Sequence, residues 1–303
     1  MLRLSVYHRQ LLVLLAPYLL GMLVLIIIPT LLAAPIAFTE YDALTPPRFV
    51  GLDNFGKILA DPQFRNGLTA SLWLVVIAVP LRVLGALGLA LLLRARKRGF
   101  TVFRGLAYLP TIIPDVAYGL VWLYIFNPLF GPLNNLSYIF QGAIETEFSP
   151  GALPGIWLTD PRAAQAAVII MLLFTIGEGF VLLLASLNEI PAELYEAAAL
   201  DGAAGDQQVR YITLPHLAPS LLLLSLRDTI FIFQASFVAA VIVTKGGPYY
   251  ATTYLPYWIY INITEFQRFG YGAAMTWVLY IITALVIALQ FWVARRWRGM
   301  QYA

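Results

Sequence analysis

Apolar residues run along this chain in long blocks, and polar residues gather between them. Six blocks stand out: Leu11–Ala37, Leu68–Leu93, Leu106–Phe126, Ala163–Leu187, Ala218–Val243 and Gly272–Val293. Each is long enough to cross about 30 Å of hydrocarbon, which takes roughly 17–25 residues of helix. None alternates with period two, and a helix satisfies its own backbone polar groups in lipid, so each block predicts a membrane-spanning helix. The loops between them are too short for a large extramembrane domain, and the expectation is a single all-α, polytopic membrane domain over residues 1–303. Arg3 and Arg9 precede the first block as they would in a secretory signal. The block far exceeds a signal core of roughly 7–15 residues, however, and reads as a retained first helix.

Composition agrees with this picture. Hydrophobic residues make up 60% of the chain and charged residues 12%, about half the charged share of an ordinary soluble domain. With no cysteine there is no disulfide, thiolate metal site, iron–sulfur cluster or cysteine nucleophile. His8 and His216 sit at predicted helix ends without metal-ligand spacing, so no metal and no cofactor is expected in this chain. The net charge of +3 is modest and gives no reason to expect nucleic acid. Its placement is more informative. Eleven basic residues fall on the side of the two termini, including Arg94, Arg96, Lys97, Arg98, Arg104, Arg295, Arg296 and Arg298, against six spread over longer loops opposite. Both termini are therefore expected in the cytoplasm.

The two long outer loops, about 38–67 and 127–162, carry turn signals at Pro46-Pro47, Asn127-Pro128, Gly131-Pro132 and Ser149-Pro150-Gly151. They are either receptor-contacting surfaces or plain connectors. Five ionisable residues fall inside the predicted spans: Arg82, Asp115, Glu178, Arg227 and Asp228. Charge at membrane depth is costly and marks functional candidates. Asp115 follows Pro110 and Pro114, and Glu178 stands between Gly177 and Gly179. A backbone interrupted at that depth belongs beside a cavity.

The loop over residues 188–217 departs from the charge rule, with five carboxylates and one arginine on the cytoplasmic side. Pro191 suits a helix start, Ala192–Leu200 is a run of helix formers, and Gly202 is a breaker, so a short helix, a turn and a second short helix are expected. Glu193, Glu196, Ala197 and Leu200 share one face of the first. That face either docks into a groove, with small alanines allowing close approach, or is simply solvated.

The string Glu196-Ala197-Ala198, three residues, Gly202, nine residues, Ile212, one residue, Leu214-Pro215 resembles the cytoplasmic signature of permease subunits of bacterial ATP-binding-cassette importers. The carbohydrate branch of that family is resembled by Phe49-Val50-Gly51-Leu52-Asp53-Asn54-Phe55, by Phe103-Arg104 through Leu109-Pro110 and Pro114, by Gly131-Pro132-Leu133-Asn134, and by Gly246-Gly247-Pro248 with Thr252-Thr253. The likeness covers nearly the whole chain and is to the maltose and glycerol-phosphate permeases in a compact six-helix form.

The resemblance implies the type I importer permease fold. It also implies a second permease, two cytoplasmic ATPase subunits, an extracytoplasmic solute-binding protein, and residence in the inner membrane. It makes the loop a coupling helix, with Glu193, Glu196, Ala197, Ala198, Leu200, Asp201, Gly202, Ile212, Leu214 and Pro215 as its residues. It further places substrate contacts at Thr111, Asp115, Gly177, Glu178, Asp228 and Phe231. Tyr118 and Trp122 lie nearby, and either line the path or fill helix interfaces. Asp228 either meets substrate or pairs with Arg82 or Arg227. No Gly-x-x-x-x-Gly-Lys-Ser/Thr loop occurs, so ATP hydrolysis falls to a partner and no catalytic residue is assigned. Carboxylates and aromatic rings favour a neutral sugar over a phosphate, with glycerol 3-phosphate or a glycerophosphodiester as the alternative cargo. An ion-coupled secondary transporter or an intramembrane enzyme would use the same acids but leave the signature loop unexplained.

Overall fold

A computed structural model describes residues 6–94, 99–133 and 156–301. Expectations on Arg3, on Arg96, Lys97 and Arg98, on Asn134 and on Ser149-Pro150-Gly151 lie outside the described residues. In chain order the helices begin with α1 (Val6–Met22), a π turn (Leu23–Ile27) and α2 (Ile28–Ile36). Two short strands follow, β1 (Thr39–Glu40) and β2 (Arg48–Phe49), then α3 (Asp53–Ala60) and α4 (Pro62–Leu92). Next come α5 (Phe100–Tyr108), a 3-10 turn (Leu109–Ile112), α6 (Asp115–Ile125), α7 (Pro161–Leu173), α8 (Gly177–Asn188) and α9 (Ala192–Leu200). The chain ends with α10 (Gly205–Gln208), α11 (Leu214–Val238), α12 (Leu255–Thr264) and α13 (Phe269–Gln301).

Among the described residues four helices are long and apolar enough to cross a membrane, and six spans result when each of two bent helix pairs counts as one. The second span starts at Pro62 rather than Leu68. Its first turn carries Gln63, Arg65 and Asn66, which kept it out of the apolar block, and the Asn66 amide donates to Tyr250 O at 3.0 Å. The second short helix expected in the loop is not separate. α10 runs through a π turn (Val209–Thr213) into α11, giving one rod over Gly205–Thr244. Pro215 has no N–H to give to the preceding turn, and the wider π turn just before it accommodates the ring.

The chain divides into two compact units, Met1–Asp61 with Ile259–Ile281 and Pro62–Trp258 with Ile282–Ala303. In the first, nothing in Val13–Ile36 is buried. A helix apolar on every side with no buried face belongs in lipid or against another chain. β1 and β2 pair antiparallel, Thr39 with Phe49 and Glu40 with Arg48. The buried Asn54 amide closes this hairpin by donating to Ala37 O at 2.9 Å and Thr39 O at 2.8 Å. Asp42 accepts from the backbone N–H groups of Thr45 and Leu44, which hold its carboxyl below the usual range. At the start of α13, Gly270 passes so close to β1 that a Cβ would lie 1.9 Å from Thr39 O.

In the second unit, buried positions of α4 recur every three or four residues, and small Ala70, Ala78, Ala86 and Ala90 alternate with Leu74, Val75 and Leu87. Small side chains let helix backbones approach closely. Ala86, Leu87 and Ala90 meet Phe180, Leu183 and Leu187 of α8 and Leu217 and Leu224 of α11 in one apolar cluster. This core fixes α8 between α4 and α11, and α8 leads within three residues into α9.

Candidate functional site

Both interior spans are broken, and each break has a local cause. In the third span Ile113 and Pro114 are extended, because proline drives the residue before it out of the helical region. The halves Phe100–Ile112 and Asp115–Ile125 meet at 101°. In the fourth, Pro161–Leu173 and Gly177–Asn188 meet at 45° across Phe174, Thr175 and Ile176. The two breaks touch each other. Gly177 lies against the third span so closely that a Cβ would stand 2.8 Å from Ala107 O and Tyr108 Cα and 3.0 Å from Thr111 Cγ2. Thr111 itself donates to Tyr108 O at 2.6 Å.

A broken helix leaves backbone carbonyls to be satisfied by other groups. At the fourth-span break side chains add donors to the backbone bonds from Phe174 N–H to Met171 O and from Thr175 N–H to Leu172 O, both 3.3 Å. The Tyr118 hydroxyl donates to Met171 O at 2.6 Å. Arg82 of α4, 1% exposed, donates Nη1 to Leu172 O and, at 2.8 Å, to Thr175 Oγ1, and Nη2 to Thr175 O at 3.0 Å. Its Nε donates to Asp228 Oδ2 at 3.0 Å, and its plane lies 4.6 Å from the centre of the Phe231 ring. Asp228 is 2% exposed and also accepts from Arg227 Nη1 at 3.2 Å. Arg227 in turn pairs with Glu178, the second residue of α8. The result is a neutral ladder, Glu178–Arg227–Asp228–Arg82, with a half-exposed outer end and a buried inner end.

This arrangement divides the residues proposed from sequence as substrate contacts. Asp115 is exposed at the first position of α6, and no ion-pair partner for it occurs among the described residues. Glu178 is exposed but neutralised by Arg227, and Phe231 is half-buried beneath Arg82 and Arg227. Three others are buried. Asp228 is enclosed and its oxygens are engaged by two arginines, the pairing that sequence reading held as its alternative. Tyr118 is buried with its hydroxyl on a backbone carbonyl. Trp122 is buried in a ring cluster, 5.0 Å from both Phe126 and Phe174. Sequence reading noted Arg82 as a charge in a span but missed its carbonyl partners. The signal was Thr175, two residues before the Gly177-Glu178-Gly179 run in a largely apolar block.

The loop helix α9 has two contrasting faces. Inward, the Tyr195 hydroxyl lies 2.9 Å from Thr213 Oγ1, and the Arg94 guanidinium stacks 4.6 Å from its ring centre. Tyr195 packs on the apolar core with the signature positions Ile212 and Leu214, and together they hold the loop from behind. Outward, Glu193, Glu196, Ala197 and Leu200 are all exposed, Leu200 at 91%. Gly202, at φ +81°, ends the helix in a Schellman motif: Gly202 N–H donates to Ala199 O at 3.1 Å and Ala203 N–H to Ala198 O at 2.9 Å. Gln207 then accepts from Ala204 N–H at 2.8 Å, starting the next helix.

A chain of apolar spans, two of them broken around a charged ladder and tied to an exposed loop helix, has the features of a membrane permease. Residues 82–299 match the family described as binding-protein-dependent transport system inner membrane component, and the chain belongs to that family. It is 31% identical to the probable ABC transporter permease protein YesP of Bacillus subtilis, over 93% of this chain and 89% of that one. It is 32% identical to the sn-glycerol-3-phosphate transport system permease protein UgpA of Agrobacterium fabrum, over 80% of each. In fold it is similar to a chain of a bacterial ABC transporter involved in the import of the acidic polysaccharide alginate, with a TM-score of 0.76, 22% identity and 95% of both chains covered. The protein is an inner-membrane permease subunit of an ABC transport system.

Proposed function

We propose that this chain forms half of the path of an ATP-driven importer for a sugar or oligosaccharide, with both termini in the cytoplasm. A second permease completes the path, two ATPase subunits receive α9, and an extracytoplasmic binding protein delivers the cargo. The observation that carries this reading is the two-faced α9. Its back is fixed to the span core through Tyr195, while Glu193, Glu196, Ala197 and Leu200 present carboxylates, a small residue and an apolar tip to a neighbour. Such a helix passes a push from outside straight into α8.

Thr111, Asp115, Gly177, Glu178 and Phe231 are the residues assigned to the path. Arg227 offers a cation there, which favours the phosphate cargo of the Agrobacterium relative's name, but Glu178 neutralises it and Asp115 adds negative charge. A neutral polyhydroxylated cargo fits that balance better, since carboxylates accept from adjacent hydroxyls.

The test is uptake by proteoliposomes holding the complete transporter, with the sugar that most raises the binding protein's melting temperature as probe. Uptake should require ATP and persist when ionophores collapse proton and sodium gradients; uptake lost with the gradients would instead identify a secondary transporter. The chain has no cysteine, so a single cysteine placed at Leu200 or at Tyr249 is a unique label. An impermeant thiol reagent applied to whole cells should modify the second and not the first. In the same assay Asp115→Asn should raise the half-saturating sugar concentration roughly tenfold, the scale of one lost charged hydrogen bond.

A further inference from the structure

Arg82 engages more groups than an ion pair requires. One planar group reaches three elements: α4, which carries it; α11, through Asp228 and the face of Phe231; and the break between α7 and α8, through Leu172 O, Thr175 Oγ1 and Thr175 O. Tyr118 adds a fourth element by holding Met171 O from α6. The break is therefore backed by a fixed set of donors. A loosely hinged break would rely on water instead. Its position matters because α8 leaves the break at Gly177 and runs to Asn188, with three residues between it and the start of α9. A displacement of α9 enters the spans along α8 and meets its first discontinuity at Thr175.

We propose that Arg82 is a positioning residue that pins this joint, so that movement of α9 becomes a defined rotation of α8 rather than a local unravelling of residues 174–176. The inference rests on α9 being the coupling helix. It assigns the function of Arg82 to its grip on the joint carbonyls, with Asp228 serving to orient the guanidinium. A guanidinium presents donors in a planar fork, and here Nε faces Asp228, Nη1 faces the joint, and Nη2 is shared between Thr175 O at 3.0 Å and Asp228 Oδ1 at 3.5 Å. The ion pair alone predicts something different: replacing both charges by apolar residues of similar volume is often neutral.

The experiment uses the complete transporter in lipid nanodiscs, with spin labels on cysteines at Arg162 and Ala185, which straddle the joint and are both exposed. In otherwise unmodified protein the distance distribution should be narrow and should shift when ATP and vanadate trap the ATPases. Arg82→Met with Asp228→Leu removes both charges; the distribution should broaden and the shift fall to less than half. Asp228→Asn, which still accepts from Nε, should keep both. Arg82→Lys guards against failure of the double variant to assemble: one ammonium serves the carboxylate or the carbonyls but not the whole set, so its shift should also shrink. A normal shift in the double variant or in Arg82→Lys would overturn the proposal, as would an Asp228→Asn variant as impaired as the double one. A distance indifferent to nucleotide without these substitutions would overturn it too. A label at Leu200 separates the two readings. Immobilised by the ATPase subunits, it upholds the coupling assignment whatever Arg82 does; freely tumbling in the assembled complex, it removes that assignment and the pin with it.

Discussion

Glu196→Lys and Gly202→Asp, each made in the complete transporter, should leave the permease in the membrane and cut ATP-driven uptake by about tenfold or more, corresponding to about 1.4 kcal/mol or more of coupling. The two act differently. Glu196 stands on the outward face of α9, away from Tyr195 and the core, so reversing its charge alters what a neighbour meets and leaves the fold intact. Gly202 acts through the backbone. No atom lies within 4 Å of where its Cβ would be, so space is not the obstacle. The left-handed conformation at φ +81° costs an L residue about 1–2 kcal/mol, and the Schellman hydrogen bonds that set the angle between α9 and the next helix depend on it. Aspartate tolerates this region better than a β-branched residue, so Gly202→Val should be the more severe. Co-purification of the ATPase subunits, read beside the amount of permease in the membrane, separates lost docking from lost protein. Full retention of the ATPases by all three variants would remove α9 from the interface.

The second large effect is expected at Gly177. Its missing side chain lets α8 begin 2.8 Å, measured from an ideal Cβ position, from the backbone at Ala107 and Tyr108. Both neighbours are main-chain atoms and cannot swing aside. Gly177→Val should force the broken spans apart at a cost of about 1–3 kcal/mol, the range for overpacking a tight contact, with alanine at the lower end. The measurement is the thermal midpoint of the purified complex in detergent, followed by fluorescence-detected gel filtration. A valine variant as stable as the parent would mean that the two breaks do not bear on each other. This effect differs from that at Gly202, since the assembly itself should loosen.

Much of this was legible before any coordinates. Hydropathy locates spans because lipid admits so few backbone solutions, and Pro114 announces a break because its ring constrains the residue before it. The signature around Gly202 was readable from its resemblance to a family motif, with Gly202 as a breaker, and the structure adds the left-handed helix end that favours glycine there. What sequence left open was partner choice. Tyr118 finds Met171 O across 53 residues, and Arg82 finds Asp228 across 146. A tyrosine or aspartate inside a span looks the same whether it serves a carbonyl, an arginine or a sugar; only packing decides. The start of α4 was missed for the opposite reason, since a helix whose first turn is polar leaves no mark in an apolar average. The fusion of α10 with α11 was hidden because a π turn, unlike a loop, has no compositional signature.

The half-open end of the charge ladder also bears on how such a subunit is made. Each ionised group held at the middle of a bilayer costs on the order of 2.5–3.5 kcal/mol, and Glu178 with Arg227 is only partly enclosed by its own chain. On the assembly proposed above, a newly inserted copy without the second permease leaves this pair uncovered. On that same reading, the solitary subunit should be the shorter-lived one, and its lifetime should follow how soon the companion arrives.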